Sequence, residues 1–475
     1  MFQKILQWVR EVLNKMLNSS NVKQALNVQP LLTELMTSSL QKWCQMYINQ
    51  SPWLTGGIKS LNLPAAIASE VARSVTIEMD VQLSGSPRAE FLAAQLVPVL
   101  NNIRTYTEYA TAKGGLMFKP YPRADGTIAV DYVQADQFYP VAFDANRTMT
   151  ACVFADTKVV GQTYYTRFEY HAMGVDGYRI TNTAYRSTVR DNLGTRVALS
   201  EVVDWADLEP EVTILNIARP LFAYFPVPMA NNIDPTSPLG VSIYARAVDL
   251  IEQADRQWTD FLWEFESGKR ALYTDPLAFK KGPDGKPVLP DKRLYRLLDL
   301  QGKIDQKGLF EEWTPTLRET NMLNGLDAIL RKVEFNCGLS YGILSNPEAV
   351  ALTATEIKAG KQRLYATVTD TQKSLQDAFD GLLYAMNVWA TLMSLAPAGT
   401  YTATYYWDDS IVSDHDTQFT QDQQTMTSNA MSKKRFLMRN YGLSEEDAMK
   451  WVEEAKTESP TPSFFPADIV DGGGV

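Results

Sequence analysis

The feature that most constrains this chain is a long apolar stripe with helical spacing that begins after residue 353. A capping-box pattern, Thr353 followed three residues later by Glu356, marks its start, and Pro397 marks its end. The apolar positions recur at steps of seven, four and three: Ile357, Leu364, Val368, Leu375, Phe379, Leu382, Met386, Trp389 and Met393. This spacing predicts one helix of about 60 Å at ~1.5 Å per residue. Such a stripe needs cover along its whole length, either from one large core or from neighbouring copies of the chain.

The periodicity changes along the rest of the chain. The first hundred residues are predicted to be helical segments, with a good helix former at 65–72. Between Gly114 and Phe225, short runs rich in Val, Tyr, Phe and Thr are separated by Gly, Asp and Asn turns, which predicts antiparallel strands. These runs are residues 116–119, 128–133, 152–154, 164–171 and 178–182. A further strand is predicted at 401–407, then a polar stretch, then two short helices at 433–440 and 445–455. The order of elements indicates an α+β fold.

Charge is distributed unevenly in the second half. A turn-rich linker at 231–240 precedes an amphipathic helix predicted at 241–268, which carries six acids and two bases. Residues 269–318 then hold eleven bases against seven acids, with a Gly282-Pro-Asp-Gly285 turn and a strand predicted at 294–300. This segment is predicted to be a small, basic α/β insert. Another helix is predicted at about 321–334, and a Gly-rich loop follows it.

Composition narrows the possible functions. The 475 residues include 55 acids and 45 bases, a net charge of −10, which argues against a broad basic surface gripping a phosphate backbone but allows DNA to slide past. With only His171 and His415, a zinc site built from several imidazoles is excluded. Three widely spaced cysteines offer neither a disulfide framework nor a Cys-x-x-Cys site, so a reducing compartment is expected.

The sequence predicts neither a membrane span nor a cleavable signal. No apolar run approaches the roughly 18 residues that a bilayer span requires. The opening segment, residues 1–17, has apolar residues at helical spacing but interrupts them with Lys4, Arg10, Glu11 and Lys15.

One short segment matches a catalytic motif. Residues 338–342 read Gly-Leu-Ser-Tyr-Gly, which matches the nucleophile elbow of hydrolases with Ser340 as nucleophile, and His415 follows in the expected order. An elbow needs a buried strand before the serine, whereas a helix is predicted there, so we interpret the segment as a flexible loop. No Walker A motif is present in the sequence, and no catalytic residue or cofactor is predicted.

An acidic cluster near the C-terminus could be drawn as a divalent-metal site: Asp408, Asp409, Asp414, His415 and Asp416. It lacks the glycine and distal glutamate of an EF-hand, so solvated turn residues are the preferred interpretation and no metal is predicted.

The paired helices after this cluster have the length of a helix-turn-helix. Their acids, among them Glu445, Glu446 and Asp447, would repel phosphate, which favours packing against a protein partner. Residues 459–475, with three prolines and a Gly triplet, are predicted to be disordered.

Four segments, in this order, resemble the portal proteins of tailed bacteriophages. They are DPTSPLGVSIYARA at 234–247, WEFESG at 263–268, TATEI at 353–357 and GLSEEDA at 442–448. They look most like the portal subfamily of Gram-positive siphophages and their prophages. The resemblance implies an α+β portal fold with a helical and β wing, a two-helix stem, a small α/β clip, a long wing helix and a short helical crown.

On this chain, the resemblance implies the following regions. They are wing 1–240, stem helix 241–268, clip 269–319, second stem helix 320–337, tunnel loop 338–354, long wing helix 355–397, and a wing strand, crown helices and disordered tail at 398–475. Portal proteins form a ring, usually of about twelve subunits, at one capsid vertex. The resemblance therefore places the chain in the virion after assembly in the host cytoplasm. Its implied partners are double-stranded DNA passing without sequence specificity, terminase, a head-tail adaptor, and the major capsid and scaffold proteins.

The resemblance also implies three sets of site residues. A DNA-facing tunnel loop would present Ser340, Ser345, Asn346, Pro347 and Glu348. Stem acids lining the tunnel would be Asp249, Glu252, Asp255, Asp260 and Glu264. The clip would meet its partners through Lys280, Lys281, Lys286, Lys292 and Arg293.

The charges support this mechanism independently of the resemblance. An acidic wall repels the duplex, which keeps it centred and mobile because no phosphate finds a fixed partner. Twelve copies would carry about −120, twelve times −10, so ring assembly should depend on salt. Two other functions remain open from the sequence, a hydrolase using Ser340 and His415 and a scaffold without a tunnel.

Overall fold

The structure is a computed structural model that describes residues 19–77, 79–189, 192–269, 271–274, 280, 286, 295–297, 310–313, 316–346, 354–407, 415–428, 431–441 and 443–458. The predictions for residues 1–17, for the turn at 282–285 and for the tail at 459–475 lie outside these ranges. The chain divides into two compact units between Trp407 and Asp408. The helices are α1 (Ser19–Leu26), α2 (Glu34–Tyr47), α3 (Leu63–Thr76), α4 (Pro87–Lys113), α5 (Val248–Ser267), α6 (Glu319–Asn336), α7 (Ala354–Leu392), α8 (His415–Thr427), α9 (Lys433–Tyr441) and α10 (Glu445–Glu458).

The strands confirm the predicted antiparallel region and add to it. They are β1 (Met79–Ser84), β2 (Gly115–Pro122), β3 (Ile128–Gln134), β4 (Phe138–Phe143), β5 (Met149–Val160), β6 (Thr163–Gly174), β7 (Gly177–Ser187), β8 (Thr195–Val197), β9 (Glu211–Ile214), β10 (Ala223–Pro226), β11 (Ala271–Thr274), β12 (Tyr295–Leu297), β13 (Phe310–Trp313) and β14 (Thr402–Trp407). One sheet has the order β4-β5-β6-β7-β8, with β9 also pairing with β7. A second has the order β10-β2-β3. The fold therefore mixes helix and sheet, as predicted.

Two predictions about secondary structure were wrong. The first hundred residues contain strand β1, which pairs antiparallel with β14 so that Met79 lies opposite Trp407 and Ser84 opposite Thr402. The polar stretch after residue 407 includes helix α8. Strand β1 depends on a partner more than 300 residues away in sequence, and no local pattern reports such a pairing.

The long helix is confirmed as α7, a single helix of 39 residues. The central part of its apolar stripe is covered by the chain's own core, because Leu364, Val368, Leu375, Phe379, Leu382 and Met386 are all buried. Helix α7 ends at Leu392, and Met393, the last predicted position of the stripe, is 54% exposed. Phe379 contacts Phe118 of β2 and stacks on Tyr405 of β14, with ring centroids 5.8 and 6.4 Å away. Of the two explanations left open by the sequence, one large core accounts for this stripe.

Arg88 clamps the C-terminal end of α7. This buried side chain lies in the first turn of α4, and its guanidinium donates to the carbonyl oxygens of Asn387, Ala396 and Pro397 at 3.1, 2.6 and 2.9 Å. It also donates to the Oγ1 of Thr391 at 3.0 Å. Because Ala396 and Pro397 lie beyond the last residue of α7, Arg88 binds the segment that leaves the helix to the last turns of the helix. A cation at this end also interacts favourably with the helix dipole.

A charged network is buried in the β4-to-β8 sheet. The Glu169 carboxylate contacts the Nζ of Lys119 at 2.8 Å, an Nη of Arg167 at 3.0 Å and the Nε2 of His171 at 2.7 Å. Burial alone would raise the pKa of Glu169, but Lys119, His171 and Arg167 outweigh it and hold that pKa well below its usual range. Burial lowers the pKa of His171, outweighing the opposite effect of Glu169. The sheet therefore holds an ionised carboxylate beside a neutral imidazole.

The neutral state of His171 predicts a pH dependence of stability. A folded-state pKa below the unfolded value of about 6.5 means that acid protonates the unfolded chain first, so stability present above that pH is lost as pH falls. Because the sequence contains only two histidines, His171→Gln should flatten the fall in the unfolding midpoint between about pH 7.5 and 5.5. Thermal unfolding followed by circular dichroism measures this slope. Equal slopes in the variant and the parent chain would contradict the assignment.

The segment before α5 is joined to α4 through two glycines. Gly114 ends α4 with φ of +95°, and a β-carbon on Gly240 would lie 2.1 Å from the Gly114 carbonyl oxygen. The same carbonyl accepts from the Val227 amide at 3.1 Å, and the Ile243 amide donates to the Thr111 carbonyl at 2.9 Å. Only residues without side chains permit this approach.

Gly240→Ala is therefore expected to destabilise the chain by about 3 kcal/mol, the upper range for overpacking a rigid contact. Gly325→Ala, inside α6, is a matched control because its β-carbon would meet only the far end of Gln257 at 3.9 Å. The control should be neutral or stabilising by up to about 1 kcal/mol through helix propensity. Chemical denaturation measures both, and equal effects would refute the close-contact explanation.

Candidate functional site

Helices α5 and α6 pack against each other as a hairpin that is rooted in the core at one end. The hydroxyl of Tyr244 donates to the Trp43 carbonyl at 3.0 Å, and the amide of Lys59 donates to the Thr259 Oγ1 at 2.8 Å. Beyond this root α5 carries exposed apolar side chains, with Trp263 61% and Phe265 42% exposed. The predicted helix at 241–268 begins seven residues later than expected, at Val248, whereas α6 closely matches its prediction.

Two of the predicted stem acids face the interior of the chain. Asp255 is 2% exposed, and its carboxylate accepts from the Trp53 Nε1 and the Leu61 amide, both at 2.8 Å. Burial raises the pKa of Asp255, and the two donors oppose this rise. Glu264 is 8% exposed and binds Arg318, with 2.7 Å between its Oε2 and the Arg318 Nη2. The structure thus gives Asp255 and Glu264 structural roles and removes them from the acids that could line a tunnel.

The remaining stem acids face solvent. Asp249 and Asp260 are exposed, and so is Glu266, which the predicted set omitted. Glu252 is half-buried and pairs one turn along α5 with Arg256, whose Nη2 lies 2.6 Å from its Oε1. The exposed negative charge of α5 is therefore smaller than the sequence suggested, and it is concentrated at Asp249, Asp260 and Glu266.

A fully buried carboxylate from α6 organises the loop that follows this helix. The Oε1 of Glu334 accepts the backbone amides of Gly342, Leu344 and Ser345 at 3.1, 2.7 and 2.9 Å. Its Oε2 accepts the Ser345 hydroxyl at 2.9 Å. One carboxylate has enough lone pairs for all four donors, so this side chain holds the loop in a single conformation.

The loop is also fixed at its two ends. At its start, Gly338 has φ of +71°, and its carbonyl accepts the Thr367 hydroxyl of α7 at 3.0 Å. A β-carbon on Gly338 would lie 2.3 Å from that Oγ1, so the position needs glycine. At the far end, the Asn346 amide donates to the Asp327 Oδ1 of α6 at 2.7 Å.

The predicted tunnel-loop residues differ in their exposure. Ser345 is buried against Glu334, so it shapes the loop and offers no exposed surface. Asn346 is exposed, and Ser340 is half-buried. Pro347 and Glu348 lie outside the described residues.

The predicted clip corresponds to a small mixed sheet between α5 and α6. Strand β11 pairs parallel with β12 and antiparallel with β13. Lys280 and Lys286 are exposed, whereas Lys281, Lys292 and Arg293 lie outside the described residues. The predicted strand at 294–300 appears as β12.

Sequence reasoning missed Glu334, the residue that determines the loop's conformation. A signal for it existed, because Glu334 lies eight positions after the buried Leu326 and directly after the buried Val333. A charge at this point of the apolar face of α6 has to find buried donors.

The sequence matches the profile of the phage portal protein family of the SPP1 Gp6-like type over residues 99–461. The chain belongs to this portal protein family. No curated protein matches it. Among solved structures it is similar to a chain from the neck of a native GTA particle computed with C12 symmetry, with 10% identity and a TM-score of 0.43. That similarity covers 87% of this chain and 95% of the other.

The portal family is structural, and the serine motif of this portal protein does not form a nucleophile elbow. Helix α6 ends at Asn336, four residues before Ser340, where an elbow requires a strand. His415 is the first residue of α8, in the second compact unit. Within the described ranges no group of three or more His, Cys, Asp or Glu side chains could hold a metal ion. Asp408, Asp409 and Asp414 are outside those ranges. None of the helices described is long and apolar enough to span a bilayer.

Glu334→Gln in this portal protein is expected to release the loop. The substitution removes the negative charge that strengthens the three N–H bonds to Oε1, and it places an NH₂ where Oε2 accepts the Ser345 hydroxyl, at a total cost of about 3 kcal/mol. Hydrogen exchange at the amides of residues 342, 344 and 345 should accelerate by about a hundredfold, the equivalent of that cost. Glu209→Gln, an exposed acid outside the hairpin and the loop, is the control and should leave exchange unchanged. Unaltered protection in Glu334→Gln would contradict the role of this carboxylate.

Proposed function

We propose that this portal protein closes into a ring of about twelve copies that forms a DNA conduit at one vertex of the capsid. In this proposal residues 1–240 form the wing, α5 and α6 the stem, the β11–β13 module the clip, and residues 338–354 the tunnel loop. Helix α7 is the long wing helix, β14 belongs to the wing, and α8 to α10 form the crown. DNA passes through the channel of this ring during packaging and ejection.

The observation that carries the ring proposal is the exposed apolar surface of the hairpin beyond its root. Leu262, Trp263 and Phe265 of α5 and Leu323 of α6 expose more than a third of their surface in the single chain. A cluster of large apolar side chains on a projecting helix pair is typical of a surface covered by a protein partner. Identical hairpins around an axis supply that cover symmetrically.

The conduit proposal is supported by the charge on α5. Asp249, Asp260 and Glu266 are exposed, so a ring would repeat these carboxylates around its axis. Like charge repels the duplex from the wall and leaves no fixed phosphate contact, which permits rapid sliding. Asn346, in the loop that Glu334 holds, would contact the DNA backbone as it passes. Its amide side chain is polar and would not discriminate between base sequences.

The clip and its surroundings are proposed as docking surfaces. Lys280 and Lys286 are exposed on the module between the stem helices, and they suit an acidic surface on terminase or on the head-tail adaptor. The wing would make the contacts with the major capsid and scaffold proteins. In this account assembly takes place in the host cytoplasm and the ring then remains in the virion.

Trp263→Asp is expected to weaken ring assembly while sparing the subunit. Because Trp263 is exposed in the single chain, the unfolding free energy should change by no more than about 0.5 kcal/mol. Native mass spectrometry and negative-stain top views should show rings with a central channel for the parent chain, and more of them as salt screens the net charge. Val175→Asp, on the exposed turn between β6 and β7, is the matched control and should assemble normally.

Two results would overturn the ring proposal. The first is a parent chain that stays monomeric at every salt concentration, and the second is a particle without a central channel, which would favour a plain scaffold. Hydrolase turnover abolished by Ser340→Ala would overturn the conduit in favour of an enzyme.

Deleting residues 346–350 tests the loop separately. The deletion leaves every Glu334 contact in place, so the ring should still assemble. Packaged DNA should leak from purified particles, because the loop no longer reaches the backbone. A nuclease-protection assay measures retention, and full packaging with full retention would show that the loop does not contact DNA functionally.

A further inference from the structure

A cleft of about 290 Å³ lies where the hairpin root, the start of the loop and α7 meet. We call it the hinge cleft. Its walls include Met229, Arg246, Phe335, Gly338, Arg363 and Asp370. Gly338 is the residue at which the chain turns from α6 into the loop, so any ligand in this cleft touches the hinge of the loop.

Arg363 is the most unusual residue of the hinge cleft. Its guanidinium lies over the ring of Phe335 at 4.4 Å and near that of Tyr341 at 5.4 Å, measured to the ring centroids. Its Nη1 is buried and has no hydrogen-bond partner among the residues that the structure describes. A buried donor without an acceptor is costly, and a guanidinium stacked between two rings is already oriented to receive one.

A second arginine lines the same cleft. Arg246 is exposed, and its backbone carbonyl accepts from the Asn336 side chain at 3.2 Å, which fixes the residue to the end of α6. Its Nη2 makes one contact, a 3.3 Å hydrogen bond to the Ala230 carbonyl. Against these two cations, the described residues of the lining include one carboxylate, the exposed Asp370, two helical turns after Arg363.

We propose that the hinge cleft receives a carboxylate side chain from a neighbouring copy of this chain. The inference rests on the proposed ring, and it identifies one contact through which a subunit reaches its neighbour's loop. An arginine fork matches a carboxylate in two parallel hydrogen bonds, and a small rotation of the Arg363 side chain gives Nη1 its missing acceptor.

The geometry favours a side chain over a DNA phosphate. Arg363 is half-buried, so a ligand reaches its Nη1 only by entering the cleft and meeting the rotated side chain, which a phosphate on a rigid duplex cannot do. A carboxylate on a flexible side chain can enter a cleft of this volume. The chain also supplies exposed acids on the hairpin, at Asp249, Asp260 and Glu266. The acid that enters the cleft would not face the channel, which the other two would still line.

Arg363→Gln and Arg246→Gln in the full chain test this inference. Each should raise the protein concentration for half-maximal ring assembly by about tenfold, the effect of losing one charge-assisted contact. Native mass spectrometry at about 0.15 M salt measures assembly. Arg219→Gln is the matched control, because its guanidinium also lies over an aromatic ring, that of Tyr384 at 5.7 Å, but outside the hinge cleft. The control should assemble like the parent chain.

Charge reversal identifies the donor of the carboxylate. Arg363→Glu should block assembly, and one of Asp249→Lys, Asp260→Lys or Glu266→Lys should restore it at least tenfold in the double variant. Rescue by one partner and not by the others would establish the contact and its geometry.

Three outcomes would overturn the inference, and each is distinguishable from failure of the ring. If Arg363→Gln assembles normally but unfolds at lower temperature, the guanidinium only stabilises Phe335 and Tyr341. If it assembles normally but binds DNA more weakly with a shallower salt dependence, the ligand is a phosphate. If none of the three charge reversals rescues assembly, the carboxylate does not come from the hairpin of a neighbour. Absence of rings in the parent chain itself would instead refute the proposed function.

Discussion

The capture of three backbone amides and one hydroxyl by the buried carboxylate of Glu334 is the interaction on which the central part of this portal protein depends. Leu339 is buried in the core, and Ile343 and Leu344 pack against it, but apolar burial leaves the backbone amides of the loop without acceptors. Ordering the loop therefore also requires an acceptor for these amides. The carboxylate supplies that acceptor from a neighbouring helix. Because Glu334 belongs to α6, loop and helix must move together, and the loop's position follows the orientation of the hairpin. The charge is placed where water cannot compete for the amides.

The long helix connects this arrangement to the rest of the chain. In its N-terminal half, Thr367 donates to the carbonyl of Gly338 at the loop hinge, and at its other end Arg88 binds the Asn387 carbonyl and the carbonyls of Ala396 and Pro397 just after the helix. Between these points the apolar stripe is buried in the chain's own core, which makes α7 a rigid rod with a fixed end. The buried part of the stripe is therefore unavailable to neighbours, and association has to use other surfaces, such as the exposed apolar side chains of the hairpin. Core and contact surface are thus separate in this chain.

Local patterns in the sequence predicted most of the elements, because helix and strand periodicity is a property of consecutive residues. The long helix, α6 and the antiparallel runs were found this way. The pairing of β1 with β14 was missed because its two strands are distant in sequence. The burial of Asp255 was missed for a related reason. The groups that donate hydrogen bonds to its carboxylate belong to Trp53 and Leu61, which are distant in sequence. Net charge on a helix counts every acid equally, whereas tertiary contacts decide which of them reach solvent. The hinge cleft combines four segments and had no counterpart in any motif.

The contact between Gly114 and Gly240 has a mechanical consequence. The peptide groups of the two glycines are in direct contact there, and no side chain lies between the end of α4 and the segment that precedes α5. Side chains absorb small displacements by changing rotamer, whereas two backbones in contact have no such freedom. The joint should act as a stiff fulcrum. A tilt of the hairpin would then rotate α4 directly. Because Arg88 in the first turn of α4 binds the C-terminal end of α7, this rotation would also reach the long helix.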